Sequence, residues 1–243
     1  TGMLPLCFGE ATKYSEFLLN ADKTYIVGAK LGEKTTTGDA EGDVISRRDM
    51  PPGLDDSVVE ACIAKFRGSI SQIPSMYSAL KYKGRPLYEY ARKGITVERE
   101  PRQVNIKQFT VLKFEGDYLC CKVACSKGTY IRTLIEDIGE SLGCGGHVIE
   151  LRRVGFTHFD IPQARTFEEL VKLKNKGLSA LDSTLLCADE MLPNLKPPFL
   201  LVINTPLLVA KGQLAVDLVP EPLPAVLDRV VLHNITFFKC NCP

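Results

Sequence analysis

Residues 103–143 constrain the fold most, because two strand patterns are followed directly by a helix pattern. The stretches "QVNIKQFTVLKF" and "DYLCCKVACS" flank the turn residues Glu115–Gly116. The second stretch alternates with period two, which is typical of a half-buried strand, at Leu119, Cys121, Val123 and Cys125. In "TYIRTLIEDIGESLG" the spacing predicts one apolar helical face, with Thr129 as the N-terminal cap and Gly143 as the end, formed by Ile131, Leu134, Ile135, Ile138 and Leu142.

Other segments add elements without a regular strand–helix alternation. A strand is predicted over residues 23–32, a helix over 55–67 that stops before Gly68, and a capped helix over 166–175. The glycine-rich "GCGGH" at 143–147 matches no phosphate-binding pattern and is interpreted as a helix terminator. Strands and helices mixed in this way predict an α+β fold with a mixed, mostly antiparallel sheet flanked by helices.

The composition excludes several classes of protein. The 243 residues are 45% apolar and 24% charged, with a net charge of +1, and no apolar run reaches the ~18 residues of a membrane helix. The nine cysteines and three histidines form no C-x-x-C pair and no zinc-ligand spacing. We therefore expect a cytoplasmic protein with reduced, mostly buried thiols, no metal and no membrane partner.

Two charged features leave alternatives open on the residues alone. In "TTTGDAEGD", Asp39, Glu41 and Asp43 could hold a hard cation, although a polar turn fits the spacing better. Arg132 lies in the first turn of its predicted helix, where a cation opposes the helix dipole. It either pairs with Glu136, four residues on, or points at a carboxylate or phosphate.

The stretch "PSMYSALKYKGRPLYEYARKG" at 74–94 opens a locally basic region. Between residues 81 and 102 stand seven basic and three acidic residues, with four tyrosines in or beside them. Lysine and arginine can contact phosphates, and tyrosine can stack on unpaired bases. The alternative is a solvated loop followed by an amphipathic helix with Leu87, Tyr90 and Ala91 towards the core.

Four segments together resemble one family, the bacterial tRNA pseudouridine synthases of the TruB type. They follow the family's order and are "TGMLPLCFGEATKYSEFLL", "DKTYIVGAKLGEKTTTGDAEG", "FRGSISQIPSMYSALKYKGRPLYEYARKG" and "CSKGTYIRTLIEDIGESLGCGGHVIELRR". The resemblance implies isomerisation of a T-loop uridine, at position 55, to pseudouridine by an aspartate nucleophile after base flipping. It implies tRNA as partner, a monomer, and neither cofactor nor metal.

The resemblance also implies roles for individual residues. Tyr25 is similar to the tyrosine that packs on the flipped base, Arg132 to the arginine paired with the catalytic aspartate, and Asp39 to a pocket-side aspartate. Such a pairing would keep a partly buried carboxylate ionised. The remaining substrate contacts implied are Tyr130, Leu151 and Lys127. The implied RNA contacts, several of them in an insertion at about 74–102 that closes over the T-arm, are Tyr77, Lys81, Lys83, Arg85, Arg92, Arg152 and Arg153.

Both ends of the chain depart from the family pattern. The family's aspartate lies in "GALDPLATGMLP", and this chain begins at "TGMLP", so we expect the nucleophile and an N-terminal strand to lie upstream. Residues 1–196 are then a synthase domain without its N-terminal part, and 197–243 a partial, PUA-like β appendage. This chain alone is predicted to be inactive. A non-catalytic tRNA-binding or remodelling protein remains an alternative, and a guide-dependent synthase subunit is disfavoured by residues 74–94.

Overall fold

The structure, a computed structural model, describes residues 1–187 and the backbone of 234–239. Thirteen strands occur in these ranges: β1 Met3–Cys7, β2 Lys23–Leu31, β3 Glu33–Thr35, β4 Val44–Arg47, β5 Gly68–Gln72, β6 Lys81–Tyr82, β7 Arg85–Pro86, β8 Arg102–Glu115, β9 Tyr118–Cys125, β10 Gly146–Phe156, β11 Phe159–Asp160, β12 Leu186–Cys187 and β13 Asn234–Lys239. Six α-helices accompany them: α1 Ser15–Asn20, α2 Asp56–Ala64, α3 Leu87–Ala91, α4 Ile131–Leu142, α5 Phe167–Asn175 and α6 Leu178–Asp182. Short 3₁₀ helices span Gly9–Tyr14 and Ile161–Gln163.

The main sheet confirms the predicted α+β class. Its strand order is β11-β10-β2-β9-β8-β5, and the pairs β2–β9, β8–β9 and β5–β8 are antiparallel. Strands β8 and β9 form the hairpin predicted around Glu115–Gly116. The fold class therefore follows from the same segment that constrained the sequence most.

The chain divides into two compact units, Asp22–Arg152 and the pair of segments Thr1–Ala21 and the described residues from Arg153 onward. In the first unit, α4 packs its apolar face onto the sheet. All five residues predicted for that face are buried, together with the four alternating residues of β9. In the second unit, β1 pairs in parallel with β13, which also pairs with β12. A separate small core there includes Met3, Phe156 and Phe159.

Helix boundaries confirm most of the predicted signals. Asp55 caps α2 by accepting hydrogen bonds from the N–H groups of Ser57 and Val58, and Thr166 caps α5. Helix α2 ends at Ala64, and Gly68 instead begins β5. Gly143 ends α4 in the left-handed conformation with φ 89°, as predicted.

Six cysteines, Cys7, Cys62, Cys120, Cys121, Cys125 and Cys144, are free thiols, four of them buried and two half-buried. Burial raises the pKa of Cys121 to about 12 and that of Cys125 to about 11, so both stay protonated at neutral pH. Among the described residues, no helix combines the length and the hydropathy that crossing a membrane requires. The predicted appendage at 197–243 lies outside the described residues, apart from the strand Asn234–Lys239.

Candidate active site at the start of helix α4

The turn between β3 and β4 presents Asp39 in a fixed orientation. The Thr37 hydroxyl donates to Asp39 Oδ1 at 2.5 Å, and the Glu41 N–H donates to the same oxygen at 3.2 Å. The buried Thr35 hydroxyl donates to the Asp39 carbonyl oxygen at 2.7 Å. The polar-turn interpretation of this segment is confirmed. No group of three metal-ligating side chains occurs in the described parts of the chain.

Gly38 lets this turn approach helix α4 closely. Its φ of +73° favours glycine, and an added Cβ would lie 3.1 Å from the Glu136 carboxyl group. The Gly38 carbonyl oxygen accepts a hydrogen bond from the Val148 N–H at 3.0 Å, which ties the turn to β10. Burial raises the pKa of Glu136, which lies beside this turn.

Arg132 reaches from the first turn of α4 to Asp39. Its Nη1 donates to Asp39 Oδ2 at 2.7 Å and to the Thr37 carbonyl oxygen at 3.4 Å, and its Nη2 donates to the Tyr77 carbonyl oxygen at 2.8 Å. The side chains of Arg132 and Asp39 are 26% and 24% exposed. The alternative pairing with Glu136 is wrong, because the ion pair that Arg132 makes is with Asp39.

Arg132 keeps hydrogen-bonding capacity beyond these contacts. A guanidinium has five N–H donors, and Arg132 makes three hydrogen bonds to the described residues. The group is therefore held in place and still able to bind a second acceptor, such as a carboxylate.

The first residues of α4 correct one prediction. The N-cap is Tyr130, whose side chain makes no capping hydrogen bond, and the Thr129 hydroxyl instead donates to the Ser126 carbonyl oxygen at 3.0 Å. Gln72 at the end of β5 instead makes hydrogen bonds to the backbone of Tyr130. Its Nε2 donates to the Tyr130 carbonyl oxygen at 3.0 Å, and its Oε1 accepts from the Tyr130 N–H at 2.8 Å.

The residues predicted to contact the nucleotide lie on three neighbouring parts of the same unit. Tyr25 on β2 and Leu151 on β10 belong to adjacent strands, and both pack half-buried against the main core. Lys127 is exposed in the turn between β9 and α4, just before Tyr130. The structure thus brings Arg132 into direct contact with Asp39 and with the Tyr77 carbonyl, and places the others on the elements around them.

The predicted insertion contains a tight hairpin with exposed charge. Strands β6 and β7 are joined by Lys83 and Gly84, both with positive φ, which is typical of a type I′ turn. Lys81, Lys83 and Arg85 are exposed there, and Arg92 is exposed just after α3.

Tyrosine side chains pack within the insertion. The Tyr90 hydroxyl donates to the Tyr82 carbonyl oxygen at 3.1 Å, and the two rings lie edge to face at 5.8 Å. Lys83 lies 5.3 Å from the centre of the Tyr82 ring, and Arg92 lies 5.3 Å from that of Tyr88. The tyrosines therefore support the cations that surround them.

Arg99 closes the base of the insertion. Its Nη1 donates to the Pro74 carbonyl oxygen at 2.8 Å and its Nε to the Val97 carbonyl oxygen at 3.1 Å. Next to this contact, Gln72 and Arg102 are opposite each other in the β5–β8 pairing. The two ends of the insertion are therefore joined by side-chain and backbone hydrogen bonds.

The two consecutive arginines of β10 fall on either side of the unit boundary. Arg152 is half-buried in the unit that contains the site. Arg153 belongs to the other unit, where its Nε donates to the Met3 carbonyl oxygen at 2.6 Å and its guanidinium lies 5.3 Å from the centre of the Phe156 ring. Arg153 therefore has structural contacts of its own, which the sequence did not predict.

Gln72 and Thr37 are site residues that sequence reasoning missed. Gln72 is 2% exposed and shares the inward face of β5 with Ile70, so a polar residue at an inward strand position was the available signal. Thr37 carried no comparable signal, because its role depends on the local turn geometry around Asp39.

Comparisons with known proteins identify the family. Residues 1–131 match "TruB family pseudouridylate synthase (N terminal domain)", and residues 132–193 match "tRNA pseudouridylate synthase B C-terminal domain". A "tRNA pseudouridine synthase B" of Photobacterium profundum is 50% identical over 202 residues, covering 80% of this chain and 63% of that protein. A protein of the same name from Vibrio campbellii is 46% identical over 245 residues, covering 100% of this chain and 72% of that protein.

The fold also has a counterpart among solved structures. A chain of the "Crystal Structure of a Cbf5-Nop10-Gar1 Complex" matches with a TM-score of 0.54 at 24% identity, over 74% of this chain and 46% of that chain. This likeness concerns the fold. The present chain spans less than two thirds of the length of its Photobacterium relative. The two family matches and the identity to both relatives show that this chain belongs to the TruB family of pseudouridylate synthases.

Proposed function

We propose that this chain belongs to a tRNA pseudouridine synthase that isomerises a T-loop uridine, at position 55. The observation that carries the proposal is the position of Arg132, which Asp39 and the Tyr77 carbonyl hold in place while two of its five N–H groups make no hydrogen bond to the described residues. The family names of the relatives support the reaction class. We place the protein in the cytoplasm, where it would meet its tRNA substrate. We expect it to act as a monomer.

In the proposed reaction an aspartate carboxylate acts as the nucleophile. The uridine leaves the loop stack, and the carboxylate bonds to the ribose C1′ as the C1′–N1 glycosidic bond breaks. The base rotates, C5 bonds to C1′ as the carboxylate leaves, and the proton lost from C5 is balanced by one gained at N1. No atom is gained or lost, so the isomerisation needs no redox partner. The free N–H groups of Arg132 bind the nucleophilic carboxylate and keep it ionised and aimed, in a geometry that arginine favours.

Nucleotide and RNA contacts are proposed on separate elements. Tyr25, Tyr130, Leu151 and Lys127 surround the flipped base, with the Tyr25 ring packed against it. The exposed cations of the insertion and Arg152 bind backbone phosphates of the T-arm. Residues 1–196 then form the synthase domain, and 197–243 a PUA-like appendage.

The proposal is tested with two proteins on a T-arm RNA. One is the present 243-residue chain. The other, the extended chain, has the same residues preceded by the family's "GALDPLA" segment and N-terminal strand. We expect the extended chain to convert one T-loop uridine to pseudouridine, measured by mass spectrometry of nuclease digests. We expect the 243-residue chain to bind the RNA without converting it. Conversion by the shorter chain, or none by the extended chain, would contradict the proposal.

A second function, tRNA binding or remodelling without catalysis, is favoured by one observation. The insertion has exposed cations on a hairpin formed by residues 81–86, so RNA binding by this hairpin does not depend on a catalytic aspartate. The same experiment separates the two functions, because a binding protein would hold the T-arm RNA in both forms and convert it in neither.

A further inference from the structure

Helix α4 begins with two residues that local preferences disfavour. Tyr130 at the N-cap offers no hydrogen-bond acceptor to the helix N–H groups, and replacing a good cap typically costs about 1 kcal/mol. Arg132 in the first turn opposes the helix dipole, at about 0.3–1 kcal/mol. Because the sequence stabilises this helix end poorly, its geometry depends on contacts from elsewhere in the unit.

Gln72 supplies such a contact. Its amide group exchanges two hydrogen bonds with the backbone of Tyr130, and only 2% of the residue is exposed. The Tyr130 carbonyl oxygen also accepts the Leu134 N–H at 3.0 Å, so both of its lone pairs are used. The side chain of another strand thus fixes the residue at which the helix begins.

The segment from Gln72 to Tyr77 holds the helix start at two points. The Gln72 side chain fixes the backbone of Tyr130, and the Tyr77 carbonyl oxygen accepts from Arg132 Nη2 two residues further along the helix. The same segment leads into the insertion. A shift of the Tyr130 backbone would therefore move the Tyr130 ring and the Arg132 guanidinium together.

We propose that Gln72 is a positioning residue for the isomerisation: it orients Tyr130 and Arg132 through the backbone at the start of α4 and does not contact the substrate. The inference rests on the proposed function for its catalytic part. The amide contact itself can be tested without catalysis.

Two substitutions separate hydrogen bonding from packing. Gln72→Met keeps the length of the side chain but removes both hydrogen bonds. Gln72→Glu as a carboxylate can accept from the Tyr130 N–H but cannot donate to its carbonyl, whereas the protonated acid can do both. Burial favours the neutral acid, so lowering the pH should restore the pair. Arg102 lies opposite Gln72 on β8, and Arg132 lies on the helix whose start Gln72 contacts. Both stay charged throughout and favour the carboxylate, so they oppose the effect of burial.

Each variant is assayed in the extended chain under single-turnover conditions between pH 8.5 and 6, relative to wild type at the same pH. Gln72→Met should lower the plateau rate ~10–100-fold at every pH, because small misplacements of catalytic groups have effects of this size. Gln72→Glu should be equally slow at pH 8.5 and recover part of that loss as the pH falls to 6. The half-saturating RNA concentration should change less than about 3-fold. Gln103→Met, at an exposed position on β8, is the matched control and should match wild type.

Hydrogen exchange of residues 128–135 in the 243-residue chain gives the readout that needs no activity. Exchange should be faster in Gln72→Met than in wild type at the same pH, and in Gln72→Glu the excess over wild type should shrink as the pH falls. Wild-type rates in both variants would overturn the positioning role. Unchanged exchange would overturn the amide contact.

If the wild-type extended chain makes no pseudouridine, the proposed function fails and the catalytic role of Gln72 fails with it. The exchange data then still decide whether the contact exists. If Gln72→Met does not fold, Gln72→Glu at pH 8.5 replaces it as the variant that lacks a donor to the Tyr130 carbonyl.

Discussion

The start of α4 and the insertion at 74–102 carry positive charge in opposite ways. Arg132 is about three-quarters buried and is held by residues 93, 95 and 55 positions away in the chain. Lys83 and Arg92 of the insertion are exposed, and the rings that support them, Tyr82 and Tyr88, lie within the same hairpin and helix. The position of the Arg132 charge is therefore set by residues distant in sequence, whereas the charges of the hairpin and α3 are supported by residues close in sequence.

The two environments suit two different functions, stabilising a reacting group and contacting phosphates. A charge that stabilises a reacting group acts best when it is pre-organised in a partly water-excluded site. A charge that contacts phosphates gains from counterion release and tolerates small displacements, so it can remain in solvent. Substitutions at the helix start should therefore change the rate, and those in the insertion should change the affinity.

The largest effect is expected from Arg132→Lys. Lysine cannot reproduce the fork that contacts Asp39 and Tyr77 at once, so the plateau rate of the extended chain should fall by at least ~10²-fold. Single-turnover assays measure this rate. The control is Arg48→Lys, which changes an arginine paired with Glu140 and should leave the rate unchanged. A rate within a few-fold of wild type for Arg132→Lys would contradict the assignment.

The next effect concerns affinity. Replacing Lys81 and Arg85 by alanine removes two exposed charges of the hairpin and should weaken binding of the T-arm RNA. The slope of log K against log salt should become shallower by roughly 1.4–1.8, from ~0.7–0.9 for each phosphate contact. Fluorescence anisotropy at several salt concentrations measures both quantities. The double alanine variant of Lys172 and Lys174 on α5 makes the same charge change, and an equal effect there would mean that the insertion is not specific.

A smaller effect is expected from Tyr90→Phe. This substitution removes the hydroxyl that donates to the Tyr82 carbonyl but keeps the ring contact, at a cost of about 0.5–1.5 kcal/mol to the local structure. RNA affinity should fall only a few-fold in the anisotropy assay, with the salt slope unchanged. Tyr14→Phe, outside the insertion, serves as the comparison. A change in slope would show that Tyr90 affects the phosphate contacts themselves.

The smallest effect is expected at the other end of α4. Hydrogen bonds from Arg48, followed by those from Lys34, lower the pKa of Glu140 to about 2, against about 4.3 in an unfolded chain. A lowered pKa in the folded state stabilises the protein above pH ~4.3, and this contribution is lost as the pH falls towards 2.

Glu140→Gln should accordingly reduce the free energy of unfolding at pH 6 by less than about 1 kcal/mol, since the Glu140 side chain is 42% exposed. Urea unfolding at pH 6 and pH 2.5 should show most of this difference disappearing at the lower pH. The catalytic rate at neutral pH should not change. A difference that persists at pH 2.5 would assign the effect to packing.

Local patterns were enough to predict the elements that surround the site. The strand alternation of β9, the apolar face of α4 and its glycine end all depend on residues close in sequence, and the structure confirms them. The unfavourable position of Arg132 in its helix was also visible, because helix stability alone gave no reason for it. The family resemblance then supplied roles that the residues alone had left open.

The partners across the site could not be predicted locally. The Arg132–Asp39 pair joins residues 93 positions apart, and the Gln72 contact to Tyr130 joins residues 58 apart. Thr129 has the better capping side chain, so helix-capping preferences predict Thr129, and not Tyr130, as the N-cap of α4. The structure differs because Gln72, on another strand, stabilises the less favourable residue.

The most direct test of this division is one titration of T-arm RNA with the extended chain under single-turnover conditions. Wild type, Arg132→Lys and the double alanine variant of Lys81 and Arg85 are compared by plateau rate and half-saturating concentration. We expect Arg132→Lys to lower mainly the plateau rate and the insertion variant to raise mainly the half-saturating concentration. If both variants lowered the plateau equally, or if Arg132→Lys changed only the half-saturating concentration, the separation of chemistry from RNA binding would be contradicted.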